Sequence, residues 1–146
     1  MEKQLEARVL LIDDEEEFLE MLTERLEDRG LKVNSVTSGE DALEQVEGAN
    51  YDAIVVDLAM PGIDGIETLK RIKAKCPDME IIMLTGHATV KNSVEAMKLG
   101  AEDLLEKPVD LNVLLEKIGV AKHKRMLVLE KQSQDELKQI LKSKSW

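Results

Sequence analysis

Short, wholly apolar runs alternate along this chain with stretches whose apolar residues recur every three or four positions. Val9-Leu10-Leu11-Ile12 is of the first kind and suits a strand covered on both faces. Phe18, Leu19, Leu22 and Leu26 are of the second kind, and Gly30 stands where that helix would stop. Lys32 to Val36 reads as a weaker second strand, and Ser38-Gly39-Glu40-Asp41 resembles a capping box opening a short helix through Leu43 and Val46 to Gly48. Ala53 to Val56 forms the third strand. Asp64 to Glu67 caps the next helix, whose inward stripe is Ile66, Leu69, Ile72 and Cys76 before Pro77 ends it. Ile81 to Leu84 is the fourth strand, and Val90, Val94 and Met97 form the face of a fourth helix closed by Gly100. A fifth strand around Asp103 to Leu105 leads to Lys107-Pro108. Asp110 then caps a helix with Leu111, Leu114, Leu115 and Ile118 facing inward.

Buried strands that alternate with helices imply right-handed βαβ units and a parallel sheet with helices on both faces, an α/β doubly wound fold. The 146 residues make one compact domain, with no internal repeat.

Charge changes the picture only at the C-terminus. Residues 111 to 146 hold 8 of the 20 Lys and Arg but 4 of the 30 Asp and Glu; the first 110 residues therefore carry 12 bases against 26 acids. An acidic body repels the nucleic-acid backbone, so no direct nucleic-acid binding is expected. The tail is basic, but Trp146 is its sole aromatic residue. No apolar run approaches the roughly 18 residues of a membrane span, the N-terminus lacks a signal-peptide layout, and the single Cys76 fits a reducing compartment, so the expected location is cytoplasmic.

Ligands of open parallel sheets bind beyond the carboxyl ends of the strands. Those positions hold Asp13 and Asp14 after strand one, Asp57 after strand three, Thr85 after strand four and Lys107 after strand five. Each has an ordinary explanation alone: an acid after a strand is commonly a helix N-cap, and a lysine in a loop is commonly a solvated charge. Together, four of five strand tips carry complementary groups on one edge. Clustered carboxylates disfavour one another's charge; a hard cation such as Mg²⁺ or Mn²⁺ removes that penalty, and a lysine can hold phosphate oxygens.

The segments "LLIDDEEEF", "VVDLAMPGIDG", "IIMLTGHA" and "GAEDLLEKP" resemble, in order and spacing, the signatures of two-component response-regulator receiver domains, from about residue 8 to about residue 120. The resemblance implies a flavodoxin-like five-stranded sheet in order 2-1-3-4-5. It also implies that Asp57 accepts a phosphoryl group from a sensor histidine kinase or histidine phosphotransfer protein. Asp14 and Asp57 then hold Mg²⁺, with Asp13 acting through a metal-bound water and the backbone carbonyl of Ala59 as the remaining protein ligand. Thr85 moves onto the phosphoryl group, Lys107 pairs with it, and a cis Lys107-Pro108 bond aims the lysine. Such a protein is a switch that assists its own phosphorylation and dephosphorylation rather than a metabolic enzyme.

Two departures from the pattern stand out. The position three before the lysine, usually Tyr or Phe in the family, is Leu104, and the flanking positions that tune dephosphorylation are Ala59 and His87. The expected division is a receiver over residues 1–120 and a helical extension or linker over 121–146. Met126, Leu129, Leu137, Ile140 and Leu141 sketch an apolar stripe there, suited either to a homodimer or to packing on the body. Met83 and Met97 are expected in the core. Two rival readings are a degenerate receiver that binds partners without phosphorylation, and a Mg²⁺-dependent phosphohydrolase of the haloacid-dehalogenase type. The latter needs a second Asp where Ala59 stands.

Overall fold

A computed structural model describes residues 6–143. The elements run β1 (Arg8–Ile12), α1 (Glu16–Asp28), β2 (Lys32–Val36), α2 (Gly39–Gly48), β3 (Ala53–Val56), α3 (Gly65–Lys75), β4 (Ile81–Thr85), α4 (Val90–Lys98), β5 (Asp103–Glu106) and α5 (Leu111–Ser143). The strands form one sheet in the order β2-β1-β3-β4-β5, every pair parallel. The expected fold is the observed one.

Alternation along the central strands divides the core in two. Leu10, Ile12, Ile54, Val56, Ile81 and Met83 face a cluster completed by α2, α3 and α4. Val9, Leu11, Val55, Ile82 and Leu84 face the other, completed by α1 and α5. Strands buried on both faces read as continuous apolar runs, which is why β1, β3 and β4 are legible.

Helix starts follow local chemistry. The Ser38 hydroxyl accepts from the Asp41 amide at 3.1 Å and the Asp64 carboxylate from the Glu67 amide at 2.9 Å. Thr89 and Asn92 form a reciprocal capping box on α4. The N-cap of α1 is Glu15, without a side-chain cap, so neither Asp13 nor Asp14 serves that purpose.

Two expectations need correction. Val90, Val94 and Met97 do not face the core: Val90 is 84% exposed, the other two are about half exposed, and Ala96 is the buried residue of α4. A short helix meets its neighbours through one small side chain, and apolar residues on its outer face have the same spacing as a buried stripe. Met97 is thus not a core residue, whereas Met83 is. The expected stripe of α3 holds: Leu69 and Ile72 are buried, and Ile66 and the C-cap Cys76 are partly buried against the same core, joined by the buried Gly65 and Thr68.

The tail does not fold back on the body. Helix α5 continues unbroken past residue 120 to Ser143; Ala121 is its last buried residue, and Met126, Leu129, Leu137, Ile140 and Leu141 are all exposed. At a rise of about 1.5 Å per residue, the part beyond Ala121 spans about 33 Å. Its root is tied by Lys124 to Glu102 at 2.6 Å, and Gln132 donates to Asp78 at 3.0 Å. Among the described residues no helix is long and apolar enough to cross a membrane. Trp146 lies outside the described residues.

Candidate functional site

Parallel strands deliver their last residues to one edge, and the sheet order puts β1 and β3 side by side with β4 and β5 beyond. The Asp57 amide donates to the Ile12 carbonyl at 3.0 Å and the Lys107 amide to that of Thr85 at 2.9 Å, so ladder bonds continue to the first residues of the site. Asp13 and Asp57 are each 3% exposed, Thr85 is fully buried, and Asp14 is open to solvent. All five strand-tip candidates lie along this one edge of the sheet.

Carboxylate oxygens of Asp13, Asp14 and Asp57 lie within 4.8 Å of one another. Lys107 crosses the gap between the acids. Its Nζ is 2.7 Å from Asp13 Oδ2, 3.4 Å from Glu15 Oε1 and 3.8 Å from Asp57 Oδ2, with the side chain 14% exposed. The Lys107-Pro108 bond is cis, as the resemblance implies. The Phe18 ring underlies the ammonium, 4.1 Å from Nζ to the ring centroid.

Two ionisation preferences follow. Burial pushes the Asp13 carboxyl above the ordinary carboxylate range, the nearby Asp57 charge adds to the rise, and the bond to Lys107 only partly offsets it. Burial alone would lower the Lys107 ammonium, but its bond to Asp13 and the charges of Asp13, Asp57 and Glu15 outweigh that and raise it. The site holds more negative than positive charge, in oxygen donors only.

The loop after Asp57 is held from both sides. The Ala59 amide donates weakly to Asp57 Oδ1 at 3.4 Å, and Ala59 itself is exposed. Gly62 has φ +79°, a backbone that L side chains rarely adopt, and the neighbouring Ile63 amide donates to Glu40 Oε1 at 3.1 Å. Gly65 opens α3 against this loop: a Cβ there would come 2.0 Å from the Asp57 carbonyl oxygen. Across the site the buried Thr85 hydroxyl accepts from the His87 amide at 3.1 Å, and a Cβ at Gly86 would meet nothing within 4 Å.

Sequence reasoning missed Glu15, Phe18 and Glu40 as neighbours of this site. Phe18 fits the apolar stripe of α1, and nothing in the spacing distinguishes a ring that also faces a lysine 89 positions later. Glu40 sits in a capping motif that explains it locally.

A profile of the response regulator receiver domain matches residues 9–119. The transcriptional regulatory protein FixJ of Azorhizobium caulinodans is 45% identical over 102 residues, 70% of this chain and 48% of that protein. The C4-dicarboxylate transport transcriptional regulatory protein DctD of Pseudomonas aeruginosa is 38% identical over 126 residues, 86% of this chain and 27% of that protein. The chain thus spans about a quarter to a half of the length of these curated relatives. Among solved structures, a response regulator receiver domain from Clostridium thermocellum superposes with a TM-score of 0.79 at 35% identity, covering 84% of this chain and 98% of that one. With its sheet order, its acidic edge and these likenesses, the chain belongs to the response regulator receiver domain family.

Proposed function

We propose that Asp57 takes a phosphoryl group from the phosphohistidine of a sensor histidine kinase or a histidine phosphotransfer protein. The observation that carries the assignment is a buried Asp57 carboxylate beside a second buried acid, with a lysine ammonium 3.8 Å away. In the transfer an Asp57 oxygen bonds to phosphorus as the phosphorus–nitrogen bond to the donor imidazole breaks; the imidazole keeps that electron pair and takes up a proton. Charge builds on the phosphoryl oxygens, and the chain's task is to meet it with positioned donors. Lys107 supplies a mobile ammonium, and Thr85 a buried hydroxyl that can donate once it turns toward the site.

Asp13, Asp14 and Asp57, with the Ala59 backbone carbonyl, would hold Mg²⁺ or Mn²⁺. The donor set fits a hard cation: oxygen ligands only, clustered carboxylates, and a buried Asp13 that burial disfavours as an anion. When bound, the ion neutralises carboxylate and phosphoryl charge together.

Leu104, partly buried against the core, stands where the family usually has an aromatic ring, so the switch works through loop and helix shifts around α4, β5 and α5 rather than through a turning ring. The division into a receiver over residues 1–120 and an extension over 121–146 fits the loss of tertiary cover after Ala121. The exposed stripe on the extension suits pairing with a second copy, and the setting proposed is the cytoplasm.

The test is intact mass after incubation with acetyl phosphate and Mg²⁺. One phosphoryl group adds about 80 Da, and Asp57→Asn abolishes the gain. Equal labelling of the Asn variant overturns the assignment, and no labelling of the wild type favours a receiver that works without phosphorylation.

A further inference from the structure

The ammonium of Lys107 touches two groups that the chemistry proposed above does not use, the Glu15 carboxylate and the Phe18 ring. Phe18, the only phenylalanine of the chain, projects from the first turn of α1, and its ring centroid lies 4.1 Å from Lys107 Nζ. We propose that Phe18 is a positioning residue that holds the Lys107 ammonium over the acidic site while its hydrogen-bond partners change; this rests on the phosphoacceptor reading.

The argument starts from what Lys107 must do. Its bonds now run to Asp13 Oδ2 at 2.7 Å and Glu15 Oε1 at 3.4 Å, and Asp57 is farther away at 3.8 Å. To meet a phosphoryl group on Asp57, the ammonium has to loosen its bond to Asp13 and turn toward Asp57. Glu15 offers the opposite course, because its side chain is 64% exposed and would draw the lysine outward. A hydrogen-bonding anchor would resist the inward turn as much as the outward one. The face of a ring does not: it attracts the cation without direction, so the three N–H groups can exchange acceptors while the nitrogen stays over the ring. Partial burial strengthens the attraction, since the lysine side chain is only 14% exposed.

Packing does not account for an aromatic residue at this position. Phe18 is partly exposed and lies at the margin of the cluster formed by α1, α5 and the sheet, where a leucine would supply similar apolar contact. A ring differs from leucine in its negative face, and that face is turned to the one cation of the site.

The experiment has two independent readouts. The first is the ¹H–¹³C spectrum of protein carrying ¹³Cε-lysine. Lys107 Hε protons lie in the shielding cone of the ring and resonate upfield of the other lysines, a signal assigned by its loss in Lys107→Arg. That shift disappears in Phe18→Leu and persists in Phe18→Tyr. The second is the rate of phosphorylation by acetyl phosphate with Mg²⁺: Phe18→Leu slows it about fivefold, and Phe18→Tyr restores it to within about twofold of wild type. Denaturant midpoints verify that both variants are folded. An unshifted Lys107 signal in the wild type overturns the proposal, and so does a leucine variant as fast as wild type or a tyrosine variant as slow as leucine. If no protein is labelled, the phosphoacceptor reading falls, and the ring-current shift alone then decides the Phe18 contact.

Discussion

At the scale of single residues, the site depends on close backbone approach as much as on charge. A side chain at Gly65 would meet the Asp57 carbonyl oxygen at 2.0 Å and Leu58 Cα at 2.6 Å, both main-chain atoms that cannot turn away. Gly65→Ala is therefore expected to cost about 1–3 kcal/mol of stability, read from urea midpoints, and to slow phosphorylation by displacing Asp57. Glu80 makes a different point, away from the site. Burial raises its carboxyl above the ordinary range, and Lys73 and Lys124 only partly offset the burial and the neighbouring Glu102. An acid with a raised folded pKa binds its proton more tightly when folded, so its contribution is favourable at low pH and is lost as pH rises through the folded value. Glu80→Gln should then raise the denaturant midpoint at pH 7, and the gain should shrink toward pH 4. A midpoint lowered at pH 7 would mean that the attraction of Lys73 and Lys124 dominates. Residues such as Asp57 and Lys107 were legible from the sequence because each ends a readable strand. Glu80 is not legible in that way, since the base that pairs with its neighbour Glu102 arrives from α5, 22 positions downstream of Glu102.

Among the elements, α4 and α5 leave the most apolar surface in solvent. Leu137, Ile140 and Leu141 are each at least half exposed on α5, on a segment that no other element covers among the described residues. A second copy laid along the stripe would take that apolar surface out of water and stabilise both helices. Sedimentation equilibrium of the wild type should report a dimer, and Leu137→Glu with Ile140→Glu should report a monomer; a monomeric wild type at all accessible concentrations would refute the pairing. β5 carries the other element-level expectation. Leu104 packs on the core beside α4, so Leu104→Ala should lower stability by about 1–3 kcal/mol while leaving phosphorylation-dependent amide exchange across Val90 to Leu115 in place. Loss of that exchange pattern with stability intact would make Leu104 a switch residue. Periodicity identified both helices and marked the buried stripe of α5 at Leu114 and Ile118, but on α4 it marked the wrong face. On α4 the exposed Val90, Val94 and Met97 repeat at helical spacing, and the one buried contact is a small alanine that periodicity does not mark.

For the molecule as a whole, both core clusters close without the part of α5 beyond Ala121, its last buried residue. A chain ending at Arg125 should thus keep the full chain's unfolding free energy to within about 0.5 kcal/mol in urea titrations where the full chain is monomeric, because it loses mainly exposed contacts such as Gln132 to Asp78. The sequence by itself determined the order of elements, the parallel sheet and the acids, hydroxyl and lysine at its carboxyl edge. It could do so because a strand buried on both faces must be apolar throughout, and whatever follows it must emerge at that edge. Only the tertiary structure decided that Phe18 and Glu15 border Lys107, that Glu40 holds the loop after Asp57, that α4 shows its apolar face to solvent, and that α5 runs on past the core with its apolar stripe exposed. Those facts depend on distances between segments far apart in the chain, and a pattern of polarity along one segment records whether a residue is apolar but not which neighbour it meets.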